Sequence, residues 1–437
     1  MNLSGKNINI LGAGRSGRAA AMLALRQGAQ VAVWDTAGAD AFAGMPVGIE
    51  MHPGATAEQG RAVESDVLVI SPGIDTFGAY VAAFSRHAGE VIGEVELAAR
   101  LYQGKIVGIT GTNGKTTTTE LVARILAHAG LGGTPCGNYG TPFAEVLLQS
   151  NPPAVVSLEL SSFQLETISS LRPAAAVWLN FAPDHMDRYP TVEAYRAAKL
   201  RIFENQTADD HAVVRSGENL PPLAAKVVTF STTDPDADWF SNGHIIVHAG
   251  ETWLDMEHDT GLRGLHNAEN AMAALAACNA AFGISAALMR EALHAYAPPP
   301  HRCELIRTLD GVEYLNDSKA TNLHALESAL RSQTRPVVLI AGGKEKGLDY
   351  SPVLPLLREK ALATVSFGQI ARPLAALFAQ AVPSESVATL ADAVTAARSL
   401  APRGSTVLLS PGTSSFDQFS GYEQRGNAFR DLVHQLR

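Results

Sequence analysis

A β-branched run that breaks into glycines, then into a lysine and hydroxyl residues, restricts this chain more than any other feature: Ile106-Val107-Gly108-Ile109-Thr110-Gly111-Thr112-Asn113-Gly114-Lys115-Thr116-Thr117. It reads as a strand over 106–110, a tight turn, and a helical pattern over 120–129. A strand that hands over directly to a helix through such a turn belongs to an α/β fold with a mainly parallel sheet. The same turn is chemically suited to phosphate. Glycines let the N–H groups of Gly111, Thr112, Asn113 and Gly114 close around phosphate oxygens. The following helix N-terminus adds positive potential, Lys115 reaches the outer phosphates, and Thr116, followed by Thr117, offers a hydroxyl to Mg²⁺. The spacing departs from the standard loop, since the residue six before Lys115 is Ile109 and the upstream glycines are Gly108 and Gly111. An empty glycine-rich turn is the bland alternative, but Gly-Lys-Thr between strand and helix favours a nucleotide.

At 437 residues the chain exceeds one ordinary core, so two to three domains are expected. Its net charge of -9 argues against non-specific nucleic-acid binding, while a few local cations can still receive an anionic small substrate. The three cysteines, Cys136, Cys278 and Cys303, have neither metal-ligand spacing nor a paired framework, which points to a reducing cytosol. No apolar stretch is long enough to span a bilayer, and the first residues read as a strand running into Gly12 and not as a signal peptide. A cytoplasmic protein without membrane insertion is expected.

Three α/β segments follow one another. The first pairs a strand over 8–11 with Gly12-Ala13-Gly14-Arg15-Ser16-Gly17 and an alanine-rich helix to Gln27. A second strand over 31–34 then ends at Asp35. This is a Rossmann-like opening with an acid at about the 20-residue distance of a ribose contact, which alone also suits a nicotinamide-dependent oxidoreductase. A strand over 66–70 stops at Ser71-Pro72-Gly73, and a fresh α/β unit starts near Lys105, before a second mononucleotide half is complete. The middle segment has strands over 106–110, 155–160, 175–180, 212–214 and 227–230, a polar stretch over 231–265 that reads as hairpins or an insertion, and a helix over 268–281. Pro298-Pro299-Pro300 makes a stiff joint. Beyond it, strands are expected over 313–315, 337–340, 364–367 and 406–409. The boundaries are set at 1–93, 94–298 and 299–437.

Several polar groups fall at strand ends. Glu159, after the strand over 155–158, is placed to bind the Mg²⁺ of a nucleotide held on the neighbouring strand; a capping acid is the alternative. His185, in Asn180-Phe181-Ala182-Pro183-Asp184-His185-Met186-Asp187-Arg188-Tyr189, is either a structural histidine or a contact for metal or the transferring phosphoryl group. Lys199, by its spacing alone, is a solvated helix lysine. Asn267 and Asn270 either offer amides to an adenine edge or, for Asn267, cap the helix. In the last segment Arg302 supplies a guanidinium, Asp317 can accept from ribose hydroxyls, and Lys319 and Thr321 offer a cation and a hydroxyl to an anionic co-substrate. Gly342-Gly343-Lys344-Glu345-Lys346-Gly347 and Ser410-Pro411-Gly412-Thr413-Ser414-Ser415 are further turns after strands, with Ser415 available to a carboxylate.

Taken together these motifs resemble the Mur ligases of peptidoglycan precursor synthesis over essentially the whole chain. The likeness rests on Thr110–Thr116, Glu159-Leu160-Ser161-Ser162-Phe163-Gln164-Leu165, Asp184–Tyr189, Tyr195-Arg196-Ala197-Ala198-Lys199, His301-Arg302 and Asn316-Asp317-Ser318-Lys319-Ala320-Thr321-Asn322. The last motif points to the glutamate-adding branch, and the Asp-Asn-Pro-Arg signature of the diamino-acid-adding relatives is absent. The resemblance implies ATP-dependent ligation of D-glutamate to UDP-N-acetylmuramoyl-L-alanine through an acyl phosphate, by a monomer. L-Glutamate addition to the same acceptor is the nearer alternative. It implies that Ser16, Asp35, Thr36, Gly73, Asn138, Gln164 and His185 hold the UDP substrate. ATP would be held by 111–117 with Asn138, Asn270, Arg302 and Asp317. Thr116, Glu159, His185 and Lys199 would hold two Mg²⁺, with Lys199 carrying a CO₂-derived carbamate. Lys319, Thr321, Lys346, Ser415 and Tyr422 would contact glutamate, and Lys115, His185 and Lys199 would be catalytic.

Overall fold

The computed structural model describes residues 1–186, 188–262, 264–294, 296 and 300–437. Three main sheets carry the chain, in two compact units: Met1–Thr260 with Asn267–Ala295, and Gly261–His266 with Tyr296–Arg437. In the first sheet five parallel strands lie in the order Ile49–Pro53, Gln30–Asp35, Asn7–Leu11, Val67–Ile70, Val91–Gly93. Successive strand residues face opposite sides. Ile8, Ile10, Val31, Val33, Val67 and Val69 therefore build one core, while Leu11, Leu68 and Ile70 meet Val81 and Phe84 in another. Burial on both faces is what a parallel sheet covered by helices requires. The helix Arg15–Arg26 divides its apolar surface: Ala20, Ala21 and Ala24 serve the first core, Ala19 and Leu23 the core of the central sheet.

The central sheet has nine strands, ordered Glu251–Asp255, Ile245–His248, Trp239–Ser241, Lys226–Ser231, His211–Arg215, Ala175–Trp178, Lys105–Thr110, Val155–Glu159, Gly132–Gly137. Pairing is parallel from Gly132–Gly137 through Trp239–Ser241 and antiparallel in the last two contacts, so the polar 231–265 stretch extends the sheet as hairpin strands. Gly132–Gly137 has no strand signal in its sequence, Gly-Gly-Thr-Pro-Cys-Gly. As an edge strand it tolerates Pro135, which has no N–H to donate. The helix after the phosphate loop runs Lys115–His128, five residues earlier than its pattern indicated, because Thr117, Thr118 and Thr119 are buried against the sheet and packing overrides their weak propensity. A second helix, Leu265–Phe282, starts ahead of Asn267, so Asn267 lies inside it and does not cap it.

The second unit holds six strands, ordered Glu304–Leu309, Val312–Asn316, Thr406–Leu409, Val337–Gly342, Ala361–Phe367, Ser384–Ser386, with the first pair antiparallel and the rest parallel. Val338, Ile340, Val407 and Leu409 face a core with Phe429 and Val433, and Val337, Leu339 and Leu408 face the opposite one with Phe378. The proline joint at Pro298-Pro299 falls outside the described residues. Among the described residues no helix is long and apolar enough to cross a membrane.

Candidate functional site

The chain leaves Lys105–Thr110 and continues into a strand two places away, so the sheet order reverses around that strand, whose carboxyl end, flanked by Val155–Glu159 and Ala175–Trp178, is where such sheets bind ligands. Thr110, Glu159 and the residues after Trp178 are brought together by register, with Glu159 beside Ile109 and Trp178 beside Thr110. Gly111 and Gly114 take φ values of 152° and 83°, the left-handed side where a side chain is strained. A Cβ on Gly114 would stand 2.2 Å from Asn270 Oδ1. Asn180 closes the turn from the third strand: its Oδ1 accepts from the Asn113 N–H at 2.9 Å and its amide donates to the Asn113 carbonyl at 3.1 Å. Thr112 Oγ1 donates to the Ala182 carbonyl at 3.0 Å. Thr116 is half-buried at the start of the helix.

Two lysines converge on this loop. Lys115 Nζ donates to the carbonyls of Gly111 and Thr112, both at 2.9 Å, and Lys199 Nζ donates to the same Gly111 carbonyl at 2.8 Å. Lys199 is not the solvated helix lysine its spacing suggested. It is 1% exposed, and its ammonium lies 4.9 Å from the Tyr195 ring centre. Burial, and next the neighbouring Lys115 charge, push its amine well below the usual lysine range, against the pull of Asp184 and Glu159. Glu159 is buried. Its Oε1 accepts from the Asn138 amide at 2.7 Å, whereas its Oε2 is buried with no hydrogen-bond partner. A buried carboxylate oxygen without a donor is suited to holding a cation. His185 has φ 57°, a left-handed conformation that a non-glycine residue adopts at a cost, and its ring packs edge-on to Phe163 and Tyr195. Asp187, two positions on in the motif, is outside the described residues. Among the described residues no cluster of three or more His, Cys, Asp or Glu side chains forms a ready metal site.

Asn270 is buried beneath the loop: Thr118 Oγ1 donates to its Oδ1 at 3.4 Å, and its amide donates to Asn267 Oδ1 at 3.4 Å. Gln164 is also buried, its Oε1 accepting from the Ser161 N–H in a capping box, and it lines a narrow crevice with Ser71, Pro72, Thr76 and Phe163. Ser16 lies in the first turn of the helix Arg15–Arg26, and Thr36 and Gly73 sit exposed in loops that follow the first sheet's strands. The Asp35 carboxylate is engaged by backbone, accepting from Ala13 N–H at 2.7 Å and Ala37 N–H at 2.8 Å. It shapes the glycine loop as well as standing beside it.

Arg188 is the link that sequence reading quoted without giving it a role. Its guanidinium donates to the carbonyls of Pro72 and Ile74, each at 3.1 Å, and to Glu166 Oε2 at 2.9 Å, and lies 3.9 Å over the Phe163 ring. The segment that carries His185 is thereby fastened to the loop that carries Gly73.

In the second unit, Asp317 follows the strand Val312–Asn316. It is buried, and its oxygens accept from Cys303 N–H at 3.2 Å and Ser410 Oγ at 2.9 Å. Burial pushes its carboxyl up to about 7, with Ser410, Cys303 and Arg302 acting the other way. Lys319 Nζ stands 3.7 Å over the Tyr422 ring, and Ser415 is buried in the turn after Thr406–Leu409. Thr321 is half-buried, and Lys346 is exposed on the loop after Val337–Gly342. Arg425 ties this corner together, although its place in a polar helix gave no hint of it. Fully buried, it donates to Ser318 Oγ (3.0 Å), Ser318 O (2.9 Å) and Thr413 O (3.1 Å).

Residues 6–93 match the Mur ligase MurD-like N-terminal domain, 109–278 the Mur ligase middle domain, and 301–412 the Mur ligase glutamate ligase domain. The chain is 42% identical to a UDP-N-acetylmuramoylalanine–D-glutamate ligase of Myxococcus xanthus, covering 99% of both chains. It is 39% identical to one of Geobacter metallireducens, covering 100% of this chain and 99% of the relative. Among solved structures it is similar in fold to the UDP-N-acetylmuramate–alanine ligase of Thermotoga maritima, with TM-score 0.60, 18% identity and 98% and 99% of the two chains covered. A pseudomurein peptide ligase of Methanothermus fervidus gives TM-score 0.61, 17% identity and 99% and 100%. The oxidoreductase reading of the N-terminal glycines gives way to the match over 6–93. With three domain matches in order and relatives of this identity along its whole length, the chain belongs to the Mur ligase family.

Proposed function

We propose that this chain joins D-glutamate to UDP-N-acetylmuramoyl-L-alanine at the expense of ATP, as a cytoplasmic monomer. The observation that carries the reading is the meeting of Lys115, Lys199 and the unpartnered Glu159 oxygen at one sheet end, in a chain whose full-length relatives bear the D-glutamate ligase name. Segments 1–93, 94–298 and 299–437 are assigned to the UDP substrate, to ATP and to glutamate respectively.

A carboxylate is a poor acyl donor, because its charge deters a nucleophile and no leaving group is present. Transfer of the ATP γ-phosphoryl to the alanyl carboxylate breaks the bond to ADP and forms an acyl phosphate. Attack of the glutamate amine then forms the amide, expels inorganic phosphate and releases a proton. The helix N-terminus at Lys115 and the Lys115 side chain are assigned to the phosphates, whereas the N–H groups of Thr112 and Asn113 donate to Asn180 and hold the loop's shape. Glu159, Thr116 and His185 are the proposed holders of Mg²⁺, which when bound supplies charge neutralisation at the transferring phosphoryl group. Lys199 is the proposed carbamate bearer. Burial and the neighbouring Lys115 charge lower the proton affinity of its amine, which favours the neutral form that attacks CO₂ to make a C–N bond with loss of a proton, and an anionic oxygen would then stand near Glu159 in place of the amine. Asn138 and Asn270 in the first unit, and Arg302 and Asp317 in the second, are assigned to ATP. Ser16, Asp35, Thr36, Gly73, Asn138, Gln164 and His185 are assigned to the UDP substrate. Lys319, Thr321, Lys346, Ser415 and Tyr422 are assigned to glutamate. The test is mass analysis of a reaction with ATP, Mg²⁺, acceptor and D-glutamate. A product heavier than the acceptor by one glutamyl residue, formed only with ATP, is expected; acceptor returned unchanged overturns the proposal.

A further inference from the structure

A cavity of about 680 Å³ lies at the end of the central sheet remote from the phosphate loop, between the helix Arg15–Arg26, the link 102–104 and the starts of Lys105–Thr110 and Val155–Glu159. Lys105 and Val155, which line it, open the strands whose other ends carry Thr110 and Glu159. At about 3.3 Å per strand residue the two sites are roughly 15 Å apart. The volume falls in the range of small-molecule sites, about 300–1,000 Å³. Leu23, Leu147 and Phe282 give it an apolar wall. Among the described residues that line it the charged ones are Arg26 and Lys105, and none is acidic. That is a local reversal in a chain of net charge -9. Arg26 Nη1 donates to the Leu147 carbonyl at 3.2 Å, which fixes its head against the wall, and Lys105 Nζ lies 5.8 Å from the Phe282 ring centre. Both residues are exposed, so their stems can cover apolar surface while their charges stay available.

We propose that this cavity is a second binding site, for an amphiphilic anion: a free medium-chain carboxylate whose chain lies on Leu23, Leu147 and Phe282 and whose head pairs with Arg26 and Lys105. The inference is independent of the ligase reading. Its test is calorimetric titration of the full-length protein with decanoate, 1-decanol and decyltrimethylammonium, repeated at saturating MgATP. Saturable one-to-one decanoate binding is expected, about tenfold or more tighter than decanol, absent for the cation and unaffected by ATP. The double variant Arg26→Glu/Lys105→Glu is expected to weaken decanoate about tenfold or more, since two favourable charge pairs become repulsive. Single Arg26→Gln and Lys105→Gln variants, each expected to cost a few-fold, carry the test should the double reversal disturb the fold. Equal binding of decanoate and decanol, indifference to these substitutions, or displacement by ATP would overturn the proposal.

Discussion

Replacing Arg188 with alanine tests whether the two loops of the first unit are held in register by one side chain. The Arg188–Glu166 pair is largely dry, with side chains 14% and 2% exposed and a 2.9 Å contact. Removing one member of a buried pair costs about 3–5 kcal/mol, because the remaining charge is stranded. Here the lower end applies, since Tyr189 still donates its hydroxyl to Glu166. Loss of the contact over Phe163 adds about 0.5–1 kcal/mol. The carbonyls of Pro72 and Ile74 are only half-buried and can be rehydrated, so they add little. A total of about 3–4 kcal/mol is expected in urea unfolding. Adding Glu166→Gln to the alanine variant should return about 1–3 kcal/mol, the penalty of the stranded group. In steady-state kinetics KM for the UDP acceptor should rise about tenfold or more while KM for ATP stays within about twofold, because the phosphate loop is untouched. A loss below about 1 kcal/mol, with no recovery from Glu166→Gln, would mean that Arg188 does not hold the two loops together.

Three further outcomes follow from individual residues. Gly114→Ala places a Cβ 2.2 Å from Asn270 Oδ1 at φ 83°, so ATP affinity measured by titration should fall more than the about tenfold that 1–2 kcal/mol of left-handed strain alone gives; wild-type affinity contradicts this. Burial raises the Glu94 carboxyl from 4.5 to about 7, so its contribution to stability is full below pH 4.5 and lost as pH climbs through 7. Glu94→Gln should therefore lessen the fall in thermal midpoint between pH 5 and 8 by an amount equivalent to at most about 3 kcal/mol, and an unchanged fall would count against the assignment. Lys199→Ala should abolish ligation at ambient CO₂ and remove the carbamate carbon signal from a ¹³C spectrum taken with labelled bicarbonate; full activity would end the carbamate assignment.

Much of this was legible in the residues. Gly111 and Gly114 gave the turn away because only a chain that must take positive φ places glycines there, and Val155–Glu159 announced itself by β-branched content. Gly132–Gly137 was not legible, since it is held in the sheet by its neighbour and not by any propensity of its own. Lys199 and Arg425 show the general difficulty: each sits at a spacing that suits solvent, and only the three-dimensional packing of distant segments buries it. Arg188 was visible as a letter in a motif, yet its work lies in reaching Pro72 and Ile74, more than a hundred residues earlier. The Asp35 acid, legible as a ligand contact, also accepts from the N–H groups of Ala13 and Ala37 and so shapes the glycine loop, which its spacing did not show.

On the proposed function, the strand-end cluster of Lys115, Lys199 and Glu159 moves a phosphoryl group only so that glutamate can be joined to a UDP-linked acceptor. The measurement is inorganic phosphate release, followed with UDP-N-acetylmuramoyl-L-alanine and each enantiomer of glutamate in turn. Release that needs both ATP and acceptor and is fast with D-glutamate but near background with L-glutamate is predicted. Release indifferent to the acceptor, or faster with L-glutamate, would contradict it.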